Sequence, residues 1–90
     1  MSLIPEQGTA FVKFWAPWCG PCRQLNKHME DVDQDFISVN IDEEPELADK
    51  YNLRAVPVLA IMEDGEIVDA RTGALEAGTI NKWVDSYEDG

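Results

Sequence analysis

The chain has 90 residues, 44% of them hydrophobic and three of them tryptophan, which suits one small globular domain and leaves no room for a second. Eighteen acidic against seven basic residues give a net charge of −11, which argues against general binding to nucleic acid or anionic membrane, because those polyanions would repel the protein. Residues 1–8 lack the features of a signal peptide, and the longest apolar run, residues 56–62, is too short to span a bilayer, so we expect a cytoplasmic protein.

The first part of the chain predicts a strand, a helix and a second strand. Residues 10–15 (AFVKFW) are aromatic and β-rich, which is typical of a strand. After Cys19, apolar side chains recur at helical spacing, and Pro21 is tolerated because it falls in the first turn. The residues on this apolar face are Cys22, Leu25, Met29 and Val32. Residues 36–41 (FISVNI) alternate and predict the second strand.

The second part predicts a short helix, a hairpin and a final helix. Residues 42–52 form an acidic helix with Pro45 in its first turn and Asn52 near its end. Residues 56–71 form a hairpin that turns at Asp64-Gly65. The apolar face of the last helix comprises Ile80, Trp83, Val84 and Tyr87. The order β-α-β-α-β-β-α predicts an α/β fold in which a mixed sheet, parallel between its first two strands, has helices on both faces.

Cys19 and Cys22, the only cysteines, have three possible roles. A structural zinc site needs four ligands, and His28 is badly placed to join the pair, although a cluster shared between subunits stays open. A structural disulfide over two intervening residues closes so small a loop that it removes little entropy from the unfolded chain. The third role is redox chemistry.

The local sequence favours the redox role. Cys19 lies where a loop enters a helix, so free amides and the positive end of the helix dipole face its sulfur and favour the reactive thiolate. Cys22 lies one turn inside, on the apolar face, where it is shielded and can attack a mixed disulfide formed at Cys19. Gly20 allows close backbone approach, and Pro21 holds the turn.

The segments FVKFWAPWCGPC, VNIDEEPELADKYNLRAVPVL, DGEIV and TGAL resemble the thioredoxin family, from Ala10 onward. The resemblance implies a single domain over residues 1–90, a three-layer α/β/α fold with a minimal four-stranded sheet, and a protein disulfide reductase. It also implies a redox-active Cys19–Cys22 disulfide without a bound cofactor, disulfide-containing proteins as substrates, and an NADPH-dependent thioredoxin reductase as electron donor. The chain itself has no Gly-x-Gly-x-x-Gly motif or phosphate loop.

The resemblance also assigns supporting residues around the cysteines. Pro57 corresponds to a cis-proline opposite the disulfide, and the backbone of Val56 would pair with an extended substrate segment. Trp15 would pack beneath the active-site loop. The apolar rim around an exposed sulfur would consist of Trp18, Gly73 and Ala74.

Three departures from the family pattern stand out. Lys13 occupies a position that is usually a buried aspartate, and Ser38 occupies the position of that aspartate's lysine partner. Strand alternation places Lys13 on the same face as Trp15, so we predict a buried ammonium that lowers the thiol pKa; the alternative is a side chain that points to solvent. The segment before residue 10 is short, which would leave a sheet edge open in a monomer capable of weak dimer contacts. Lys27 replaces a proline, which predicts a straighter helix.

Two other functions fit the sequence less well than that of a reductase. A binding subunit of a larger assembly, with incidental redox activity, has no need of both sulfurs. An oxidase or isomerase needs an exported protein and a more oxidising dipeptide than the Gly-Pro between the cysteines.

Overall fold

The part of the chain that the structure describes contains four strands and three helices, built around one mixed sheet. The computed structural model describes residues 3–88, so the predicted domain of residues 1–90 extends two residues beyond the described part at each end. The elements are β1 (Thr9–Trp15), α1 (Gly20–Met29), β2 (Ile37–Asn40), α2 (Pro45–Lys50), β3 (Val58–Glu63), β4 (Glu66–Thr72) and α3 (Ala77–Glu88). The predicted order of elements is confirmed.

The sheet has the strand order β2-β1-β3-β4. β1 runs parallel to β2 and antiparallel to β3, and β3 runs antiparallel to β4. Lys13 therefore lies in the centre of the sheet, in register with Ser38 on one side and Leu59 on the other. The predicted four-stranded mixed sheet is confirmed.

Alternation along the central strands divides the core between the two faces of the sheet. Phe11, Leu59 and Ile61 pack against α1 and α3, together with Leu25, Met29, Ile80, Trp83 and Val84. We call this cluster the α1–α3 core. On the opposite face, Val12, Phe14, Val39, Val58, Ala60 and Met62 pack with Ile4 and with Leu47 of α2. α2 contributes no fully buried residue, so the second face is covered more thinly.

The hairpin turn follows the sequence prediction. Asp64 and Gly65 have φ values of 53° and 82°. Both values lie in the left-handed region, as a two-residue type I′ hairpin turn requires. The hydroxyl of Tyr51 donates a 2.7 Å hydrogen bond to the carbonyl oxygen of Gly65, which ties the end of α2 to the turn. Asn52, predicted near the end of that helix, follows it with a φ of 53°.

Three side chains differ from the predicted pattern. Val32 lies beyond the end of α1 but still packs against the α1–α3 core. Phe36 precedes β2, which has four residues rather than six. Tyr87 lies on the predicted face of α3 but is 38% exposed, because its hydroxyl donates a hydrogen bond to Asp69 at the surface.

Candidate active site

The cysteines lie at the carboxyl end of β1, where the chain turns into α1. Cys19 is the N-cap residue of α1 and Cys22 lies in its first turn. Their sulfurs are joined as a disulfide, with Cα atoms 5.2 Å apart. Cys22 is fully buried and Cys19 is only 5% exposed. In the disulfide form Cys19 is therefore largely covered, rather than exposed as the resemblance implies.

The first turn of α1 presents a backbone hydrogen-bond donor to the Cys19 sulfur. The amide of Cys22 donates to the Sγ of Cys19 over 3.2 Å. The first turn contains no acidic residue, so no carboxylate offsets the positive end of the helix dipole. Pro21 lies at the start of the helix, where its missing amide costs no hydrogen bond. This environment stabilises negative charge on Cys19 when the disulfide is reduced.

The Val56-Pro57 segment faces the disulfide. The peptide bond is cis, as the resemblance implies, and the Val56 carbonyl oxygen lies 3.4 Å from the Cys19 sulfur. Pro57 is buried, and its carbonyl oxygen accepts a 3.4 Å hydrogen bond from the amide of Gly73. Ala74 is half-buried against the α1–α3 core. The structure therefore brings the predicted rim glycine and the proline together beside the cysteines.

Trp18 is the most exposed large hydrophobic side chain of the described residues, at 66%. Its indole Nε1 donates a 3.2 Å hydrogen bond to Oδ1 of Asp42. The amide of Asp42 in turn donates to Oδ1 of Asn40 over 2.9 Å. Sequence reasoning missed Asp42, although the carboxyl ends of two parallel strands meet at one sheet edge. Asp42 follows the end of β2 by two residues, and Trp18 follows the end of β1 by three.

Lys13 lies inside the protein, only 6% exposed, so the predicted burial is found and the solvent-facing alternative is wrong. Its Nζ donates a hydrogen bond to Oδ1 of Asn26 on α1. The ammonium also lies 5.6 Å from the ring centroid of Trp15 and 5.4 Å from that of Phe36. Burial lowers the pKa of Lys13. Trp15 is half-buried and packs against the cluster formed by Ala16, Cys19 and Cys22.

His28 belongs to α1, the helix that carries the cysteines. It is half-buried, and its Nδ1 donates to the carbonyl oxygen of Leu75 over 2.8 Å, which ties α1 to the segment before α3. Within residues 3–88, no group of three or more histidine, cysteine, aspartate or glutamate side chains is arranged to hold a metal ion.

A cysteine pair at a helix N-terminus, facing a cis-proline across the end of a central strand, defines a thiol–disulfide oxidoreductase site. A family model described as Thioredoxin matches residues 2–86. Thioredoxin 1 of Synechococcus elongatus is 38% identical over 82 residues, covering 84% of this chain and 77% of that protein. Thioredoxin of Bacillus subtilis is 36% identical over 88 residues, covering 91% of this chain and 85% of that protein.

Solved thioredoxin structures have the same fold. A mutant thioredoxin of Halobacterium salinarum is 30% identical with a TM-score of 0.76, over 91% of this chain and 76% of that one. A thioredoxin of Malassezia sympodialis is 24% identical with a TM-score of 0.77, over 90% and 77% of the two chains. The chain belongs to the thioredoxin family. It is a thiol–disulfide oxidoreductase that reduces protein disulfides, and the binding-subunit alternative is not favoured.

Helices of residues 3–88 are all too short or too polar to cross a membrane.

Proposed function

We propose that Cys19 attacks the substrate disulfide and that Cys22 releases the reduced product. The Cys19 thiolate forms a bond to one substrate sulfur, and the other substrate sulfur leaves as a thiolate. The Cys22 thiolate then attacks the Cys19 sulfur, the Cys19–substrate bond breaks, and the Cys19–Cys22 disulfide forms. The two cysteines are oxidised together, and the substrate gains two electrons and two protons.

One observation carries this division of roles: Cys19 caps α1, whereas Cys22 is fully buried one turn further on. The Cys19 sulfur accepts a hydrogen bond from the Cys22 amide and lies at the positive end of the helix dipole. Both interactions favour its thiolate. Cys22 cannot meet a protein disulfide from solution, but its sulfur is already within bonding reach of Cys19. Attack at Cys19 and release by Cys22 is the order that these positions support.

Substrate binding is proposed at the surface around Cys19. The backbone of Val56, a half-buried residue beside Pro57, would pair with an extended segment of the substrate protein. Trp18 would supply an apolar surface, because its ring is exposed while Asp42 holds its nitrogen. Gly73 and Ala74 would complete the rim. Gly73 has a φ of 90° and open space where a Cβ would lie, which allows a substrate backbone to come close.

The partners and compartment follow from this chemistry. An NADPH-dependent thioredoxin reductase would return two electrons to the Cys19–Cys22 disulfide, so that the protein carries electrons to substrates and maintains cellular redox balance. The protein would act as a monomer, with weak dimer contacts, in the cytoplasm, where the reducing environment regenerates dithiols. No cofactor is needed, since the two sulfurs carry both electrons.

The test is a trapping experiment with paired cysteine variants. Turnover of insulin by wild type, Cys19→Ser and Cys22→Ser is measured with dithiothreitol as the electron donor. Trapping is measured separately, with the reduced proteins and insulin after dithiothreitol has been removed, because free dithiothreitol would reduce a mixed disulfide. We expect the wild type to reduce insulin and both variants to lose turnover. Cys22→Ser should accumulate a mixed disulfide with insulin, and Cys19→Ser should not. Trapping by Cys19→Ser in place of Cys22→Ser would reverse the two roles, and an inert wild type would overturn the function.

A further inference from the structure

Within residues 3–88, the buried Lys13 ammonium has no carboxylate partner, since the ion pair of this part of the chain joins Arg71 to Asp69. The Lys13 Nζ lies beside the Asn26 amide oxygen and the rings of Trp15 and Phe36. A carbonyl oxygen and two aromatic faces all stabilise the charged form. A buried positive charge that no carboxylate neutralises acts on whatever ionisable groups lie near it.

Two of the residues that contact Lys13, Asn26 and Trp15, also lie beside Cys22. Asn26 lies four residues after Cys22 on α1, so both side chains lie on the helix face that covers β1. Trp15, whose ring centroid lies 5.6 Å from the ammonium, also packs against the cluster that contains Cys22. Cys22 is fully buried, so water screens its charge poorly. The groups in register with Lys13 on the neighbouring strands, Ser38 and Leu59, carry no charge.

We propose that Lys13 is the counter-charge of the Cys22 thiolate, held in place by Asn26, and that it promotes the step that releases the reduced product. It is a positioning residue that acts on Cys22 through its charge. This inference rests on the proposed roles of the two cysteines. The chain then stabilises its two thiolates by different means. The N-terminus of α1 stabilises the Cys19 thiolate, and the buried Lys13 stabilises the Cys22 thiolate.

The consequence is a faster release step near neutral pH. Cys22 must lose its proton to solvent before it attacks the Cys19 sulfur, and a nearby positive charge lowers its pKa. When a thiol pKa lies above the ambient pH, lowering it by one pH unit raises the thiolate fraction about tenfold and reduces the nucleophilicity about threefold. The net gain in rate is therefore about three- to fourfold for each pH unit.

The direct test titrates Cys22 as the only thiol. In the Cys19→Ser protein, thiolate absorbance against pH reports the Cys22 pKa without coupling to a second cysteine. Adding Lys13→Met or Lys13→Gln removes the charge, and the glutamine variant retains a donor for Asn26. We expect both to raise the Cys22 pKa by about one pH unit. In proteins that retain both cysteines, the same changes should slow release from a preformed mixed disulfide about three- to fourfold at neutral pH, and less at alkaline pH.

Lys27→Met is the matched control, because it removes one positive charge from an exposed position on the same helix. It should leave the Cys22 pKa within a few tenths of a pH unit. Circular dichroism identifies any variant that does not fold, and the remaining Lys13 variant then decides the result. A Cys22 pKa that is unchanged or lowered in the folded variant overturns the inference. An inactive wild type would instead overturn the proposed function, so the two failures are distinguishable.

Discussion

The carboxylate of Asp69 joins β4 to α3 through Trp83. The indole Nε1 of Trp83 donates to Oδ2 of Asp69 over 3.0 Å, and the hydroxyl of Tyr87 donates to the same oxygen over 2.7 Å. Arg71 bonds Oδ1 at 2.6 Å and its guanidinium lies 4.8 Å from the Trp83 ring centroid. The Asp69 carboxylate thereby connects the edge strand β4 to the last helix, α3.

Asp69→Asn should destabilise the protein in a pH-dependent way. Hydrogen bonds from Tyr87 and then from Trp83 hold the pKa of Asp69 far below its usual value. A depressed carboxyl pKa stabilises the fold above the unfolded value, about 4, and that stability is lost as the pH falls toward the folded value. Urea unfolding should show a loss of about 1 kcal/mol at neutral pH, shrinking below about pH 4. Asp49→Asn, at an exposed position, is the control, and an equal loss at all pH values would contradict the prediction.

Asp42→Ala should weaken substrate binding more than stability. The change removes the acceptor for the Trp18 indole and frees an exposed ring, so the free energy of unfolding should change by less than about 0.5 kcal/mol. The KM for a protein disulfide should rise about two- to threefold, because ordering the ring then adds to the cost of binding. Steady-state insulin reduction measures this. Asp42→Asn retains an acceptor and should resemble the wild type; equal KM values for alanine and wild type would show that the hydrogen bond does not position the ring.

Gly65→Ala should lower the free energy of unfolding by about 1 kcal/mol, because φ at this position is 82° and a side chain is strained there. Space is not the cause, because the nearest atom to an added Cβ is the carbonyl oxygen of Pro5 at 3.7 Å. Gly78→Ala is the matched control, because Gly78 lies in α3 with open space where a Cβ would be. Alanine there should raise the free energy of unfolding by about 1 kcal/mol at most. Thermal unfolding of the two variants should therefore move in opposite directions.

Leu25→Ala should remove about 2–5 kcal/mol from the free energy of unfolding. Leu25 is fully buried in the α1–α3 core, and it lies on the helix that carries both cysteines. Leu3→Ala, at a position that is 49% exposed, should change the free energy by less than about 0.5 kcal/mol. Denaturant unfolding of the two variants, each in its reduced and its oxidised form, measures these changes. A small loss at Leu25 would mean that the core closes around the missing side chain.

Local pattern was sufficient to predict the order of elements, the hairpin turn and the buried faces. Each depends on residues close in sequence, such as Asp64-Gly65 or the helical spacing of Leu25 and Met29. Contacts between distant segments could not be predicted. His28 bonds a carbonyl 47 residues away, and Asp42 meets Trp18 only because two strands end side by side.

Asn26 illustrates the same limit at the candidate site. A polar side chain four residues after Cys22 gives no signal by itself, and its meaning comes from the lysine that β1 places opposite it. The burial of Lys13 could be predicted from strand alternation, because Trp15 and Phe11 mark the covered face. The side chains that would surround the ammonium could not, since they come from three separate segments.

The thin cover that α2 provides has a kinetic consequence. A six-residue helix without a fully buried side chain is held mainly by half-buried Leu47 and by the Tyr51 hydroxyl, so it can separate from the sheet without disrupting the α1–α3 core. Its amide hydrogens should exchange with solvent deuterium through local opening, well before those of β3. The cysteines lie on a different helix, so such an opening would leave the dithiol chemistry intact.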